Sequence, residues 1–286
     1  MNTYTTTSKP IVRAFHFIFG LRPQNEPFHL LHYLALRSCL EVNAPCIVNV
    51  HLGEEPFGQW WQLIRPHIII HELKRDDWTE RRQMYEQSKE GQFILSAGLQ
   101  YAHEADFLRG ELLAKYGGVY VDMDTLFITP YPADWFSLDF ALGEEQVHLD
   151  ERGIQRITLC NAVMFSQPNS EFSQAMLKMM ANSFDGRWNT HSCWGIAQLW
   201  GQIPHAITVF PQRYFYRFSA DQNGISALFE KYVPDIDGVY SLHLWEHLWR
   251  DAWRTDFTAF HAGMLTTAYV KNAPTTYAAL ARRFLD

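Results

Sequence analysis

The chain has little of several features that mark other classes of protein. Its four cysteines (Cys39, Cys46, Cys160 and Cys193) fall in no spacing typical of a zinc site, and their surroundings favour free thiols over disulfides. Its longest apolar runs, such as residues 14–19, are far too short to span a bilayer. The first ten residues lack the basic start and apolar centre of a signal peptide. These features together predict a cytoplasmic protein without a transmembrane segment.

Positive charge and flexible linkers are also scarce. The formal net charge is −7, and basic pairs such as residues 81–82 and 282–283 are too short to form the basic surface that nucleic acids require. No proline- or glycine-rich stretch is long enough to mark a domain boundary. With 286 residues, 47% of them hydrophobic, we expect one large domain over residues 10–286, preceded by a flexible tail at residues 1–9.

The order of apolar segments predicts an α/β fold. The sequence predicts three strands, at residues 11–20, 46–52 and 68–70, and the third of these is expected to be buried. Between the strands it predicts two helices, at residues 27–40 and 57–64. This alternation indicates a mostly parallel sheet covered by helices on both faces. Residues 74–91 are polar and predict a surface excursion. A helix over residues 104–116, a strand at 156–165 and a helix at 171–181 follow. The later part of the chain is irregular and helical.

The most informative segment lies at the end of the predicted helix 104–116. The tandem glycine Gly117-Gly118 ends that helix and releases an apolar strand, which leads into Asp122-Met123-Asp124. Alternate side chains of a strand share a face, so Asp122 and Asp124 are expected to point together. Two carboxylates directed at one point repel unless a cation lies between them, and oxygen ligands suit Mg²⁺ or Mn²⁺.

The segment from about residue 102 to 130 resembles the sugar-binding region of DxD-motif glycosyltransferases. That family includes α-1,6-mannosyltransferases and α-1,4-galactosyltransferases and is similar, more remotely, to clostridial glucosylating toxin catalytic domains. The positions that carry the resemblance are Asp106, Arg109, Leu112, Tyr116, Gly117, Gly118, Tyr120, Asp122 and Asp124. Ala105 departs from the family, which often has Ser before the helix Asp. The resemblance implies a GT-A fold, an Mn²⁺ or Mg²⁺ cofactor and a nucleotide-diphosphate sugar donor.

The same resemblance suggests roles for individual residues. Asp106 and Arg109, three apart on one helix face, would hold hydroxyl and diphosphate oxygens of the donor, although such a pair is often only a surface ion pair. Asp124 would ligate the metal, and Asp122 would contact both the ribose and the metal's shell. Asn161 matches an asparagine near the acceptor side of the sugar, but a strand-end asparagine that caps a turn is an equal alternative.

A third metal ligand is expected from the C-terminal part. His243 is the candidate, as ligand or as diphosphate contact, with a packed helix histidine as an equal alternative and His261 as the other candidate ligand. His243 and His247 have the spacing of a helical zinc pair, but no third zinc ligand supports it. Trp245 or Trp249 would close over the nucleotide, although the stripe of Trp245, Trp249 and Trp253, spaced by four, favours a helix core.

Three further positions are weaker candidates. Phe17 would meet the nucleobase at the end of the first strand, with core packing as the default, and Tyr120 would lie beside the nucleotide. Glu144 and Glu145 would assist at the acceptor, although a solvated turn is the ordinary alternative for them. The loop at 146–156 is expected to influence which sugar is bound.

The sequence therefore predicts a metal-dependent, retaining glycosyltransferase that uses a nucleotide sugar, with UDP as the first choice of nucleotide. A glycan, a glycolipid or a polysaccharide precursor is the expected acceptor, and a lipid-linked acceptor would bring the protein into peripheral contact with a membrane. A protein acceptor is the runner-up. Two other classes stay open. Residues 121–127 also resemble the nucleophile strand of haloacid-dehalogenase-type phosphatases, with Asp122 as nucleophile, but no Gly precedes Thr125. A non-catalytic carbohydrate-binding protein is the third class.

Overall fold

The computed structural model describes residues 13–22, 24–73, 100–149, 155–185, 190–249 and 265–285. The strands are β1 Ala14–Phe19, β2 Ile47–Leu52, β3 Ile69–Glu72, β4 Gly118–Val121, β5 Thr125–Phe127, β6 Phe140–Leu149, β7 Gln155–Ser166, β8 Thr208–Phe210 and β9 Ser241–His243. The helices are α1 Leu30–Val42, α2 Gln59–Ile64, α3 Gln100–Tyr116, α4 Glu171–Ser183, α5 Cys193–Gln202, α6 Gln222–Phe229, α7 Glu246–Trp249, α8 Thr267–Asn272 and α9 Thr276–Ala281. The predicted tail at 1–9, the excursion at 74–91, Trp253 and His261 lie outside the described residues.

Seven strands form one sheet in the order β3-β2-β1-β4-β7-β6-β8. Every neighbouring pair is parallel except the two pairs made by β7, so one strand runs against the other six. The predicted α/β class, with a mostly parallel sheet flanked by helices, is confirmed. β5 and β9 form a separate two-stranded antiparallel sheet.

Two apolar cores pack on opposite faces of the large sheet. Phe15 and Phe17 of β1 point into the first core with Leu34 of α1, whereas Ile18 points into the second core with Leu113 of α3. This division follows from the alternation of side chains along a strand. Phe17 is fully buried and belongs to this core.

The prediction that the third strand is buried was wrong. β3 is the edge strand of the sheet, and Ile69 at its start is 49% exposed. An apolar segment does not distinguish an edge strand from a central strand, because the position of a strand in the sheet depends on its pairing rather than on its local composition.

The tandem glycine connects α3 to β4 through backbone that other residues adopt rarely. Gly117 and Gly118 have φ angles of +66° and +90°. A Cβ at Gly117 would lie 2.6 Å from Pro168 Cδ, and a Cβ at Gly118 would lie 2.6 Å from the Ala14 carbonyl oxygen. Both positions therefore require glycine for conformation and for space, and the sharp turn brings the end of α3 next to the start of β4.

Two tryptophans of the spaced stripe, Trp245 and Trp249, lie in the first core as predicted, but Trp245 is not part of a helix. Residues 241–243 form strand β9, Trp245 has a φ of +55°, and helix α7 covers only Glu246–Trp249 within the described residues. His243 is consequently a strand residue. Its neighbours along the chain gave no alternating pattern, because β9 has only three residues and all three are buried.

Three histidines lie side by side on β1, β2 and β3. His16 Nδ1 is 3.1 Å from His51 Nε2, and the rings of His51 and His71 stack with centroids 4.8 Å apart. Burial lowers the pKa of His16 to about 4, and burial together with His16 lowers the pKa of His51 to about 3. The fold therefore holds both rings neutral at pH values where an unfolded histidine is protonated.

This histidine row predicts an acid-sensitive fold. The unfolded chain gains protons below about pH 6.5 while folded His16 and His51 do not, so the free energy of unfolding is expected to fall from that pH down to about pH 4 for His16 and about pH 3 for His51. Each histidine contributes up to about 2 kcal/mol of this loss at pH 5. Urea denaturation across pH 4 to 8 measures it. His51→Gln should flatten the slope, and the exposed His67→Gln should not. Equal slopes in both variants would contradict the assignment.

Candidate functional site

A cavity of about 800 Å³ opens where the parallel strands β1 and β4 end. Its wall includes residues that follow β1, the turn after β4, one face of α3, and parts of β6, β7 and the segment after β9. Ligands of open α/β sheets bind at this edge, beyond the carboxyl ends of the strands. The predicted site residues Asp106, Arg109, Tyr120, Asp122, Asp124, Asn161, His243 and Trp245 all line this one cavity.

The two aspartates of the motif lie in a turn rather than in a strand. β4 ends at Val121 and β5 starts at Thr125, and two backbone hydrogen bonds fix the turn between them. The Asp122 N–H donates to the Ala162 carbonyl oxygen at 2.8 Å, and the Asp124 carbonyl oxygen accepts from the Leu244 N–H at 3.0 Å. The side chains nevertheless converge, as the alternation argument predicted for a strand.

His243 completes a cluster with the two aspartates. β5 and β9 pair in a register that sets Thr125 opposite His243, and this pairing brings the imidazole to the motif. One ligand atom from each of Asp122, Asp124 and His243 lies within 4.8 Å of the other two. His243 Nε2 is 3.6 Å from Asp122 Oδ2, and Nδ1 is 3.4 Å from Asp124 Oδ2. Two carboxylates and an imidazole at this spacing form a donor set that suits a divalent cation.

Arg109 lies between the motif and Asp106. Its Nη1 is 3.2 Å from Asp122 Oδ1 and donates to the Asn161 carbonyl oxygen at 3.0 Å, and its Nη2 is 3.6 Å from Asp106 Oδ1. The Asn161 side-chain amide donates to Asp106 Oδ1 at 2.7 Å, and His191 Nε2 lies 3.2 Å from Asp106 Oδ2. Arg109 is 7% exposed, so this pair is a buried network rather than the surface ion pair that was the alternative reading.

The two aspartates are electrostatically unequal. Burial is the largest single influence on Asp122 and opposes its ionisation, but Arg109, His243 and Tyr120 together outweigh burial, and the pKa of Asp122 is lowered. Burial raises the pKa of Asp124; His243 opposes this shift, while Asp122 and Glu246 add to it, and the pKa stays raised. Asp124 therefore carries acidic charge that its protein neighbours do not fully compensate, and an added cation would compensate it.

The environment of His243 constrains its hydrogen. The Trp245 N–H donates to His243 Nδ1 at 3.1 Å, so the neutral ring in this arrangement carries its hydrogen on Nε2, beside Asp122. As placed, His243 is a hydrogen-bond donor to a carboxylate or a phosphate oxygen. Ligation of a metal through Nε2 requires the hydrogen on Nδ1 and the loss of the bond from Trp245.

The aromatic candidates occupy different positions. Trp245 lines the cavity and stacks on His243 with ring centroids 4.3 Å apart, but it is only 3% exposed and its Nε1 donates to Phe218 O. Trp249 is buried in the core and does not line the cavity.

The Tyr120 hydroxyl donates to Asp122 Oδ1 at 2.6 Å, and the guanidinium of Arg109 lies over the face of the Tyr120 ring. Phe17 lies in the core, which was the alternative to a nucleobase contact, and Phe19, two residues later, lines the cavity.

Sequence reasoning missed several residues of the site. His191 lies against Asp106. His32 of α1 lies 3.0 Å from the carboxylate of Glu246, and the backbone N–H of Glu246 donates to Asp124 Oδ2. His32 and Glu246 are 214 positions apart. Nothing local in the sequence marks such a contact.

The acidic pair on β6 was also placed wrongly. Glu144 and Glu145 lie on strand β6 and are half-buried, rather than in a solvated turn, and Glu145 lines the cavity. The thiols of Cys160 and Cys193 lie near Glu145. All four cysteines are free thiols, as predicted, with Cys46 the least buried.

Comparisons with known proteins give matches to a family and a relative that are named for polysaccharides. Residues 82–190, which are less than half of the chain, match a family model described as capsular polysaccharide synthesis protein. Glucan organizing enzyme 1 of Cryptococcus neoformans var. grubii is 30% identical over 248 residues, covering 82% of this chain and 62% of the relative. The chain thus spans less than two thirds of that relative's length.

Solved structures give weaker likenesses. PaToxG Glycosyltransferase is 13% identical, with a TM-score of 0.47, and the match covers 96% of this chain and 88% of that chain. The glycosyltransferase GlyE of Streptococcus pneumoniae TIGR4 is 12% identical, with a TM-score of 0.47, and the match covers 96% of this chain and 60% of that chain. These values are too low to assign an activity. Among the described residues, no helix is long and apolar enough to cross a membrane.

Proposed function

We propose that this chain is a metal-dependent, retaining glycosyltransferase of the GT-A type. It moves a sugar from a nucleotide-diphosphate sugar, with a UDP-sugar as the first choice, to a glycan, glycolipid or polysaccharide-precursor acceptor. One observation carries the proposal: Asp122, Asp124 and His243 meet in the same cavity as the network of Asp106, Arg109 and Asn161. The matched family and relative are named for capsular polysaccharide and glucan, and these names favour a polysaccharide acceptor.

The donor set fits Mn²⁺ or Mg²⁺. Asp122 and Asp124 would hold the ion, and Asp124 has the uncompensated acidic charge that such an ion neutralises. His243 would contact the diphosphate through Nε2–H, or would join the ligands after its hydrogen moves to Nδ1. When bound, the ion would act as a Lewis acid toward the leaving diphosphate.

The network around Arg109 would orient the donor sugar. Asp106 is fixed through Oδ1 by Asn161 and lies against His191 through Oδ2, so its carboxylate has a defined direction in which to accept sugar hydroxyls. Arg109 is fixed between Asp122 and the Asn161 carbonyl, so its charge stays near the diphosphate position. Rigid groups of this kind lower the barrier by positioning the donor.

Retention of configuration is proposed through displacement on the front face. The acceptor hydroxyl oxygen bonds to the anomeric carbon on the face from which the phosphate oxygen leaves. The carbon–oxygen bond to the diphosphate breaks, and the leaving phosphate oxygen takes the hydroxyl proton. An α-linked donor then gives an α-linked product.

The alternatives have less support. A phosphatase with Asp122 as nucleophile needs that carboxylate accessible and a lysine nearby. Oδ1 of Asp122 instead accepts from Tyr120 and faces Arg109, and no lysine lines the cavity among the described residues. A protein acceptor in place of a glycan remains the second candidate for the transferase, because the donor residues are the same for both.

A donor screen tests the proposal. Thermal shift with UDP, GDP and their common sugars, with and without Mn²⁺, is expected to show one nucleotide sugar that stabilises the protein only with metal. A ligand at 100 times its Kd adds about 2.7 kcal/mol. The product of transfer from that α-linked donor should be α-linked, by NMR of the anomeric proton. A β-linked product would contradict retention. No response to any nucleotide, with phosphate released from simple phosphoesters, would favour the phosphatase instead.

A further inference from the structure

The cavity has a second wall that the donor residues do not occupy. Strands β6 and β7 and the first turn of α5 supply Glu145, Gln146, Thr158 and Trp194 to it. The wall is built on protein hydrogen bonds, since the Thr158 hydroxyl donates to the Gln146 carbonyl oxygen at 3.2 Å. A nucleotide sugar held at Asp106 and Asp124 would leave this wall to a second substrate.

Trp194 presents a large aromatic surface on this wall. It is 45% exposed, and it is the one exposed large apolar side chain that lines the cavity within the described part of the chain. Its neighbour Cys193 is 5% exposed, and the Cys193 thiol donates to Asn161 Oδ1 at 3.9 Å. The helix turn that carries Trp194 is thus bonded through Cys193 to the asparagine that also holds Asp106, and Trp194 and Asp106 line the same cavity.

Glu145 adds a polar group to the same wall. One oxygen of its carboxylate lies within 4.8 Å of the sulfurs of both Cys160 and Cys193. Glu145 and Trp194 both line the cavity, so the carboxylate and the indole are open to the same ligand. A flat apolar face and a carboxylate on one wall match a pyranose ring, whose C–H face stacks on an aromatic ring while its hydroxyl groups donate to an acidic oxygen.

We propose that Trp194 and Glu145 form the acceptor subsite, and that the acceptor is a saccharide whose terminal ring stacks on Trp194 and donates a hydroxyl hydrogen to Glu145. This inference rests on the proposed function and deepens it by assigning the acceptor class. A protein acceptor has no sugar ring to stack, so the same residues separate the two candidates.

The test uses two defined probes, maltohexaose and laminarihexaose, with the full chain in UDP and Mn²⁺. Saturation-transfer NMR and calorimetry are expected to show that wild type binds at least one hexaose. Trp194→Ala should raise its Kd about tenfold or more, and Trp194→Phe should recover most of the affinity. Glu145→Gln should raise the Kd about tenfold. Tyr232→Ala removes another exposed aromatic, away from the cavity, and should change nothing.

Two measurements keep this inference distinct from the proposed function. The thermal shift given by nucleotide and Mn²⁺ should be equal in wild type and Trp194→Ala, because the indole is not among the donor groups. If that shift is present but neither hexaose binds, the acceptor subsite is overturned while the proposed function stands. The same conclusion follows if both hexaoses bind Trp194→Ala as tightly as they bind wild type. If the shift is absent from wild type while the hexaose result holds, the transferase proposal fails and a saccharide-binding wall remains.

Discussion

Asp124→Asn is expected to lower kcat by about 10³-fold and to abolish the stabilisation that a nucleotide sugar gives with Mn²⁺. The substitution removes the carboxylate charge from the proposed metal site, and metal Lewis acidity is worth several kcal/mol of transition-state stabilisation. Asparagine keeps an oxygen in place to accept the Glu246 N–H, which Asp124 Oδ2 accepts at 2.7 Å. The variant should therefore fold.

The unliganded protein supplies a second readout. Because burial and nearby carboxylates raise the pKa of Asp124, a neutral side chain is at least as favourable there, and the melting temperature of Asp124→Asn without ligand should equal or exceed that of wild type. Asp139→Asn, at an exposed position outside the cavity, is the matched control and should keep both activity and ligand response. A metal-dependent shift that survives in Asp124→Asn would place the cation elsewhere.

Arg109→Met is expected to lower the free energy of unfolding by about 3–5 kcal/mol. Removal of the buried guanidinium leaves the carboxylates of Asp106 and Asp122, which are only 15% and 23% exposed, without the cation that both contact, and breaking a buried pair has this magnitude. Urea denaturation at pH 7 measures the change. Arg65→Met is the control, because Arg65 pairs with Glu55 on the surface and its loss should cost under about 1 kcal/mol. Similar losses in both variants would show that the Arg109 network is not what stabilises this region.

The sequence predicted the elements near the motif well, and physical reasons explain why. Helix α3, the glycine turn and β4 are each specified by neighbouring residues: the positive φ angles of Gly117 and Gly118 need glycine, and apolar spacing marks the strand. The convergence of Asp106, Arg109, Asp122 and Asp124 followed from these local rules together with the family resemblance.

The rest of the site depends on contacts that no local pattern encodes. Trp245 adopts a positive φ although nothing in its side chain favours it, and His243 lies on a strand instead of a helix because β9 pairs with β5. His191 reaches Asp106 from a turn that is 85 positions away in the chain. Glu145 lies on β6, which the sheet places next to β7 and one strand away from β4. Likewise, the edge position of Ile69 is a property of the whole sheet rather than of its apolar segment.

The pairing of β5 with β9 has a consequence for how such genes are recognised. The aspartates and the histidine that faces them come from segments more than a hundred residues apart, and this small two-stranded sheet pairs the two segments. The portion that the family model recognises, residues 82–190, includes the aspartates but not His243. A truncated or rearranged gene that kept that portion alone would still score as a family member while encoding an incomplete centre. A search that requires both segments would separate intact genes from such remnants.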